Sequence, residues 1–287
     1  MNTKLNFKDT NERMEVFVEY FKKTKVDNHN PCMGNDIKPT KTSTEDKVYR
    51  LFLETHFQSP ESANKFNEMM SWEKLNNTKD FGIKKVCRDF FNQSKIKIGD
   101  HRRHINCMTP DKRAAYTFES LCSYKAVIKE HKSQRNFFKI DGNPDFDELF
   151  KRMIEIKHFE TRLPRFDHLE KVSRTFNFYC TPNRFYVEDA TGPLDGLTYL
   201  ILGEKFRSNK ARLKEIVLSR YFITHWNSNV VKSKYHLSES ESLKSTLQKM
   251  EQWTIDTVRQ KLPKSQQSNP GFVFDLETNI CNWQKRK

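Results

Sequence analysis

Apolar residues recur at helical spacing in one segment after another of this 287-residue chain. In the stretch NERMEVFVEYFKKT, Met14, Phe17, Val18 and Phe21 occupy the i, i+3, i+4 and i+7 positions that share one face of an amphipathic helix. The chain has only 8 glycines, too few for a sandwich or a propeller built on many tight turns. We therefore predict a mostly α fold with little strand, limited to short extended pieces such as Arg184–Glu188.

Helix start signals support this prediction. Ser43 or Thr44 precedes the stretch TEDKVYRLFLETHF, Ser59 precedes Pro60, and Thr109 precedes Pro110. A hydroxyl side chain before a helix accepts an orphan N–H group, and proline suits the first helical position because it lacks an N–H. Helices are expected to begin at these points, and further helices are expected over SPESANKFNEMMSWEKL and PDFDELFKRMIEIKHFE.

The segment KVDNHNPCMGNDIKPTKTSTED contains two prolines, a glycine and many turn-forming residues, so it indicates a linker. We predict an N-terminal helix and linker over residues 1–43 and a helical domain over 44–287. That domain has the option of two lobes, 44–140 and 141–287.

The formal net charge of +14 favours an anionic partner, most simply double-stranded DNA, although solubility alone would also account for it. No apolar run approaches the length of a membrane span. Six scattered cysteines without a C-x-x-C pair indicate reduced thiols and a cytoplasmic protein. Neither a metal site nor a cofactor is expected, and no protein partner is evident.

The stretch from Thr161 to Glu204 is the most informative part of the sequence. In its ATGPLDG segment, Gly192 can adopt positive φ, and Pro193 suits the first position of the apolar helix that follows. Free N–H groups at such a helix start bind anions, and phosphate is the natural anion for a basic chain. The alternative is that ATGPLDG is only the entry turn of a helix.

Several enzyme classes are excluded because their motifs are absent. There is no G-x-S-x-G elbow, no phosphate-binding G-x-x-x-x-G-K-[ST] loop, no G-x-G-x-x-G and no H-x-E…P-C-x-x-C signature. What remains is carboxylates beside basic and aromatic residues. Asp167 lies between Arg165 and His168, and Glu277 precedes Trp283 in the tail. Cleavage of an N-glycosidic bond requires such a carboxylate, although helix capping or a surface ion pair would explain each acid as well.

Three motifs in order, ETRLPRFDHLEKV, EDATGPLDGLTYLILG and DLETNICNWQK, resemble the α-glutamyl/putrescinyl-thymine pyrophosphorylase families, above all their third clade. The resemblance implies a helical architecture of the helix-hairpin-helix DNA glycosylase type. It also implies recognition of bulky, hypermodified bases of phage DNA. Some members are implicated in building such bases, and related glycosylases remove them as antiviral defence.

The resemblance also implies roles for individual residues. The Gly192 turn would correspond to the hairpin that holds DNA phosphate through backbone N–H groups, and Arg165 and Asp167 would fall in the motif before it. Glu277, Cys281 and Lys285 would match the terminal motif of the family. The acid that helix-hairpin-helix glycosylases carry after the hairpin helix has no clear counterpart here, because Glu204 and Lys205 are the nearest residues. A four-cysteine iron–sulfur pattern is also missing.

We therefore predict a monofunctional DNA N-glycosylase that flips a modified base, such as glucosylated hydroxymethylcytosine, and leaves an abasic site. The alternatives are a transferase or pyrophosphorylase acting on hydroxymethylpyrimidine DNA, and a DNA-binding protein without enzymatic activity. The predicted site consists of the acids Asp167 and Glu277, the DNA-binding residues Arg162, Arg165, Thr191, Gly192, Gly196, Lys205, Arg207 and Lys210, and the base-pocket residues Tyr179, Asn282 and Trp283.

Overall fold

The computed structural model describes residues 7–24, 43–93, 96–99, 103–206 and 208–283. Within those ranges no residue lies in a β-strand and most residues are helical, so the predicted mostly α fold is confirmed. The extended piece expected at Arg184–Glu188 is not a strand, because its end belongs to a 3₁₀ turn, Val187–Asp189.

Most of the described residues belong to helices. In chain order they are α1 (Phe7–Lys23), α2 (Thr44–Phe57), α3 (Pro60–Met69), α4 (Trp72–Asn77), α5 (Asp80–Phe91), α6 (Arg103–Asn106), α7 (Pro110–Glu130), α8 (Gln134–Phe138), α9 (Phe146–Arg152), α10 (Arg162–Thr175), α11 (Thr191–Leu202), α12 (Lys210–Val217), α13 (Arg220–Asn229), α14 (Leu243–Lys261), α15 (Lys264–Gln267) and α16 (Phe272–Trp283).

The helix starts predicted from capping residues are confirmed. The side chains of Ser43, Ser59 and Thr109 each accept a hydrogen bond from the backbone N–H three residues later. The structure adds a break that was not predicted. Ser71 caps a second helix start, so the stretch 59–75 forms two helices, α3 and α4. The helix expected over 144–160 is shorter and ends at Arg152.

The chain divides into two compact units. The discontinuous unit combines Met1–Asp27 with Pro182–Lys287, and the continuous unit comprises Asn28–Thr181. These bounds differ from the ranges 1–43, 44–140 and 141–287 suggested by the sequence, because the N-terminal helix shares a unit with the C-terminal part of the chain. The sequence-based ranges remain a prediction about folding domains.

The core of the continuous unit is aromatic. The ring of Phe52, on α2, stacks on Tyr124 of α7 with 4.0 Å between centroids and on Phe159 at 5.3 Å. A second group forms where Phe57 meets Phe66 and Phe90 of the neighbouring helices, at 5.5 and 5.3 Å. The many phenylalanines of the sequence therefore fix α2 against the helices around it.

In the discontinuous unit, α1 packs on α11 and α16. The hydroxyl of Thr10 donates to the carbonyl of Ile201 at 2.8 Å, and the guanidinium of Arg13 donates to the carbonyls of Leu200 and Ile201 at 2.8 and 2.7 Å. These groups satisfy carbonyls that the end of α11 leaves without helical partners. Gly203, with φ of 76°, ends the helix in the left-handed conformation typical of a C-terminal glycine.

Candidate active site

Helix α10 in the continuous unit is both highly charged and buried. Ten of its fourteen residues are buried, five of which have ionisable side chains. Removing charged groups from water is costly unless they are paired or serve a ligand, so a buried charged helix marks a candidate site. The buried residues are Arg162, Pro164, Arg165, Phe166, His168, Leu169, Glu170, Lys171, Val172 and Ser173.

Arg165 stabilises the beginning of this helix. Its guanidinium donates to the carbonyls of Phe150 at 2.9 Å, Thr161 at 3.2 Å and Glu160 at 3.2 Å, and lies 4.0 Å from the ring centre of Phe150. The structure thus gives Arg165 a role inside the protein, with donors directed at backbone carbonyls. Contact with DNA phosphate, predicted from the sequence, stays a prediction for this residue.

Arg162, the first residue of α10, is 3% exposed. Its guanidinium lies 3.9 Å from the ring centre of Phe166, one turn further along the same helix. This cation–π contact orients the side chain within the continuous unit.

The carboxylate of Asp167 is held by an amide. The Nε2 group of Gln58 donates to Asp167 Oδ2 at 2.8 Å, and Asp167 is only half-buried. Gln58 itself ends α2 in the left-handed conformation, with φ of 51°. A Cβ on Gly99 would overlap the backbone of Gln58, so glycine is required where these two segments meet. Asp167 is therefore oriented by Gln58, whose backbone packs closely against Gly99.

Asp167 shares one face of α10 with three other charged residues. Glu170, Lys171 and Arg174 follow it at i+3, i+4 and i+7, the spacing of neighbours on a helix. Glu170 accepts a hydrogen bond from Arg174 Nε at 3.0 Å. Lys171 is 2% exposed, and its Nζ has no hydrogen-bond partner.

His168 is fully buried between α10 and α2. Its Nδ1 lies 3.3 Å from the hydroxyl of Thr55, and that hydroxyl donates to the carbonyl of Leu51 at 2.9 Å. Because the hydroxyl proton is already used, Nδ1 carries the proton in this contact, and Nε2 remains without a partner. Burial and the positive charge of Lys171 lower the pKa of His168 to about 3, so the ring is neutral at physiological pH.

The loop after α10 carries Tyr179. Two successive residues before it, Asn177 and Phe178, have positive φ, which is uncommon for residues other than glycine. The hydroxyl of Ser173 donates to the carbonyl of Cys180 and ties the loop to the helix. The hydroxyl of Tyr179 is buried without a hydrogen-bond partner, and burial raises its pKa above the usual value.

In the discontinuous unit, the ATGPLDG segment differs from the predicted turn. Helix α11 already begins at Thr191, so Gly192 is a helical residue and Pro193 is the third position rather than the first. Among described glycines, positive φ occurs at Gly203. The predicted positive-φ turn at Gly192 is therefore wrong, because Gly192 has the backbone conformation of a helical residue. Thr191 is exposed at the first position.

Gly196 has a packing role. A Cβ at this position would overlap the carbonyl oxygen and the side chain of Ile280, on α16. Glycine thus allows α11 and α16 to cross at close range, and Gly196 is buried. The DNA contact expected from the sequence stays a prediction for this residue.

The segment that leads into α11 is anchored by a buried acid. Glu251, on α14, accepts hydrogen bonds from the N–H groups of Phe185, Tyr186 and Val187, the last two at 3.1 and 3.2 Å. The guanidinium of Arg184 lies 3.5 Å from the same carboxylate. Burial raises the pKa of Glu251 to about 7, while Arg184 and the N–H groups act in the opposite direction. No motif in the sequence marks this acid.

The basic residues after α11 face solvent. Lys205 is exposed, with its Nζ 5.8 Å from the ring centre of Tyr199, and Lys210 is exposed at the first position of α12. Arg207, predicted to contact DNA, lies outside the described residues.

Helix α16 carries the residues predicted from the terminal motif. The thiol of Cys281 lies 3.7 Å from Glu277 Oε1, Asn282 is exposed, and Trp283 is 7% exposed. The indole of Trp283 packs on Phe17 at 5.3 Å within the same unit. A stacking role for Trp283 on a flipped base therefore stays a prediction.

The predicted site residues fall in both units. Arg162, Arg165 and Asp167 lie on one helix of the continuous unit and Tyr179 on the loop after it, while the others belong to the discontinuous unit. Sequence reasoning missed Gln58 and Lys171. The i, i+4 spacing of Asp167 and Lys171 was visible, but burial of the lysine was not.

Within the described ranges, no three histidine, cysteine, aspartate or glutamate side chains are grouped as a metal ion would require. Over the same ranges, no helix combines the length and the apolar character needed to cross a bilayer.

No curated protein and no solved structure matches this chain. A family model does match, over residues 20–221, which is more than half of the chain. The matched range contains α10, Asp167 and the ATGPLDG segment, and it ends before Glu277, Asn282 and Trp283. On this match, the chain belongs to the alpha-glutamyl/putrescinyl thymine pyrophosphorylase family, clade 3.

Proposed function

We propose that this protein cleaves the N-glycosidic bond of a bulky modified base in double-stranded DNA and leaves an abasic site. The family description names an enzyme that acts at a substituted thymine, which supports a modified DNA base as the substrate. The observation that carries the proposal is the carboxylate of Asp167, half-buried and held at 2.8 Å by Gln58 on a buried charged helix within the matched range.

Asp167 has the properties that this chemistry requires. As the glycosidic bond breaks, positive charge develops on the sugar, and a fixed carboxylate stabilises it. The same carboxylate accepts a proton from the attacking water. The Gln58 amide aligns the group without cancelling its charge. Glu277 is the second candidate acid, although it lies beyond the matched range.

The remaining assignments follow from exposure and from side-chain chemistry. Exposed Lys205 and Lys210, together with Thr191 at the start of α11, are proposed to contact DNA phosphates, and Arg207 is proposed for the same role. Tyr179, with its buried unpartnered hydroxyl, is proposed to contact the flipped base, and Asn282 and Trp283 are proposed as further contacts. Removal of such bases would act as antiviral defence in the cytoplasm.

The test is release of free base. The purified protein is incubated with unmodified DNA and with DNA containing glucosylated hydroxymethylcytosine. Free base is then measured by mass spectrometry, and alkali-labile sites are scored on a gel. We expect release from the modified DNA alone, reduced by roughly 10³-fold in Asp167→Asn. The matched control is Asp89→Asn, an exposed acid on α5, which should retain activity. Equal release by Asp167→Asn and the wild type would remove Asp167 from the mechanism.

A second candidate reaction is favoured by the family description itself. A pyrophosphorylase would exchange a diphosphate for an amine on a hydroxymethylated pyrimidine and keep the glycosidic bond intact. The reactions are separated by incubating hydroxymethyluracil DNA bearing a diphosphate with putrescine. Pyrophosphate release without abasic sites would select this candidate, and binding without either product would indicate a DNA-binding protein.

A further inference from the structure

Lys171 is the least compensated charge on the candidate helix. It is 2% exposed, and its Nζ has no hydrogen-bond partner. An ammonium group has three donors and a full positive charge, and burying it without partners strongly destabilises a fold. Shorter or apolar side chains would fill the same space without this cost. A lysine at this position therefore needs a reason outside packing.

The titratable groups nearest to Lys171 on α10 do not neutralise it. His168, one turn earlier, is a neutral imidazole with an unpartnered Nε2. Asp167 is engaged by Gln58 at 2.8 Å, and Glu170 is paired with Arg174 at 3.0 Å. Among the residues that the structure describes, Asp167 thus has no cation as a partner, and Lys171, four residues later, has no acid as a partner.

We propose that the ammonium group of Lys171 binds the negatively charged leaving group of the reaction. This inference rests on the proposed function, because it assigns the second half of the same site. For a glycosylase, the leaving group is the anion of the base. For a pyrophosphorylase, it is diphosphate. Both leaving groups have negatively charged oxygen atoms. A cation such as the ammonium group of Lys171 recognises this shared feature.

In glycosidic cleavage, Asp167 and Lys171 would divide the proton transfers between them. The C1′–N bond breaks and its electron pair goes to the base, whose oxygen accepts a hydrogen bond from Lys171. Water adds to C1′ and loses its proton to Asp167, while Lys171 supplies a proton to the departing base. Transfer of the proton from Asp167 to Lys171 through solvent restores both groups. The spacing of i and i+4 places the two side chains on one face of the helix.

If Lys171 served only to stabilise the fold, its replacement would lower the melting temperature. The variant Lys171→Met tests this. Methionine retains an unbranched apolar side chain and removes the charge. We expect its melting temperature to rise by about 2–4 °C, because an uncompensated buried charge is removed. The control Lys151→Met removes an exposed lysine on α9 and should leave the melting temperature nearly unchanged.

Two probes then test binding directly by calorimetry on the full-length protein. Inorganic pyrophosphate represents one leaving group. Free glucosylated hydroxymethylcytosine base, the protonated product of the other leaving group, represents the second. We expect the wild type and Lys151→Met to bind one of them, with affinity at least about 10-fold weaker in Lys171→Met. Binding of pyrophosphate alone identifies a diphosphate leaving group, and binding of the base alone identifies glycosidic cleavage.

Three results would overturn the inference. A clear drop in the melting temperature of Lys171→Met would show that the lysine stabilises the fold. Equal probe binding by Lys171→Met and the wild type would show that the ammonium does not contact the ligand. Failure of the wild type to bind either probe would show that there is no leaving-group site. These measurements need no turnover, so they stand even if the DNA substrates proposed above give no product.

Discussion

At the scale of single residues, helix α10 buries ionisable groups at a cost in stability. His168 and Lys171 are buried with nitrogen atoms that have no partner, while Arg165 is fully used in holding backbone carbonyls. Natural proteins retain such costs chiefly where a ligand compensates for them. Burial of His168 also makes the stability of the protein dependent on pH.

His168 should make the protein sensitive to acid. Its pKa is about 3 in the folded state and near 6.5 when unfolded, so the unfolded chain takes up the proton first as the pH falls. Stability is therefore lost from pH 6.5 downward. Between pH 7.0 and 4.5 the loss attributable to His168 is about 2–3 kcal/mol.

The measurement is urea unfolding at both pH values. We expect the free energy of unfolding of His168→Gln to change less between them than that of the wild type, by the amount given above. His131→Gln, a half-exposed histidine in the same unit, is the matched control and should follow the wild type. Identical pH dependence in His168→Gln and the wild type would contradict the buried neutral imidazole.

At the scale of helices, the distance at which two helices can pack depends on single atoms at their crossing point. The Gly196→Ala variant should be destabilised by about 2–3 kcal/mol or more, because the new methyl group meets the backbone carbonyl of Ile280 and α11 must move away from α16. Thermal unfolding would measure the loss. Adding Ile280→Ala should not restore stability, since the carbonyl remains. The control is Gly142→Ala, where the added methyl group makes only ordinary contacts. This variant should leave the stability nearly unchanged.

Glu251 holds the segment before α11 in place through hydrogen bonds. In Glu251→Gln one oxygen is replaced by an NH₂ group that faces other donors, so we expect a loss of about 2–4 kcal/mol in the free energy of unfolding. Cleavage by trypsin after Arg184 should also accelerate as this segment loosens. The exposed Glu215→Gln on α12 serves as the control. Unchanged stability and cleavage would show that the N–H groups do not depend on this acid.

Much of the helical architecture could be predicted, and the candidate site only in part. Ser43, Ser59 and Thr109 were recognised because a cap is a local signal, carried by a hydroxyl three residues before the N–H it accepts. Gly192 was misjudged because glycine before proline also fits inside a first helical turn. Gln58 and Glu251 were missed because their partners lie 109 and 64–66 residues away in the chain, where no short motif records the pairing.

At the scale of the whole molecule, the net charge of +14 should make the affinity for DNA depend strongly on salt concentration. Each lysine that contacts a phosphate releases a counterion, so Lys205→Ala/Lys210→Ala should lower the slope of log affinity against log salt by about two. The loss should be similar for modified and unmodified DNA. Binding titrations at several salt concentrations would measure it. The control pair Lys84→Ala/Lys85→Ala, exposed on α5, should keep the wild-type slope.

The discontinuous unit has a consequence for synthesis on the ribosome. Arg13 and Thr10 bond to carbonyls that lie 187 and 191 positions later in the chain. At bacterial or eukaryotic elongation rates, these partners are translated about 10–40 s after α1. The ribosome finishes translating the continuous unit before it translates the residues that α1 packs on. The apolar face of α1, with Met14, Phe17 and Val18, therefore lacks its packing partners while the whole continuous unit is being synthesised.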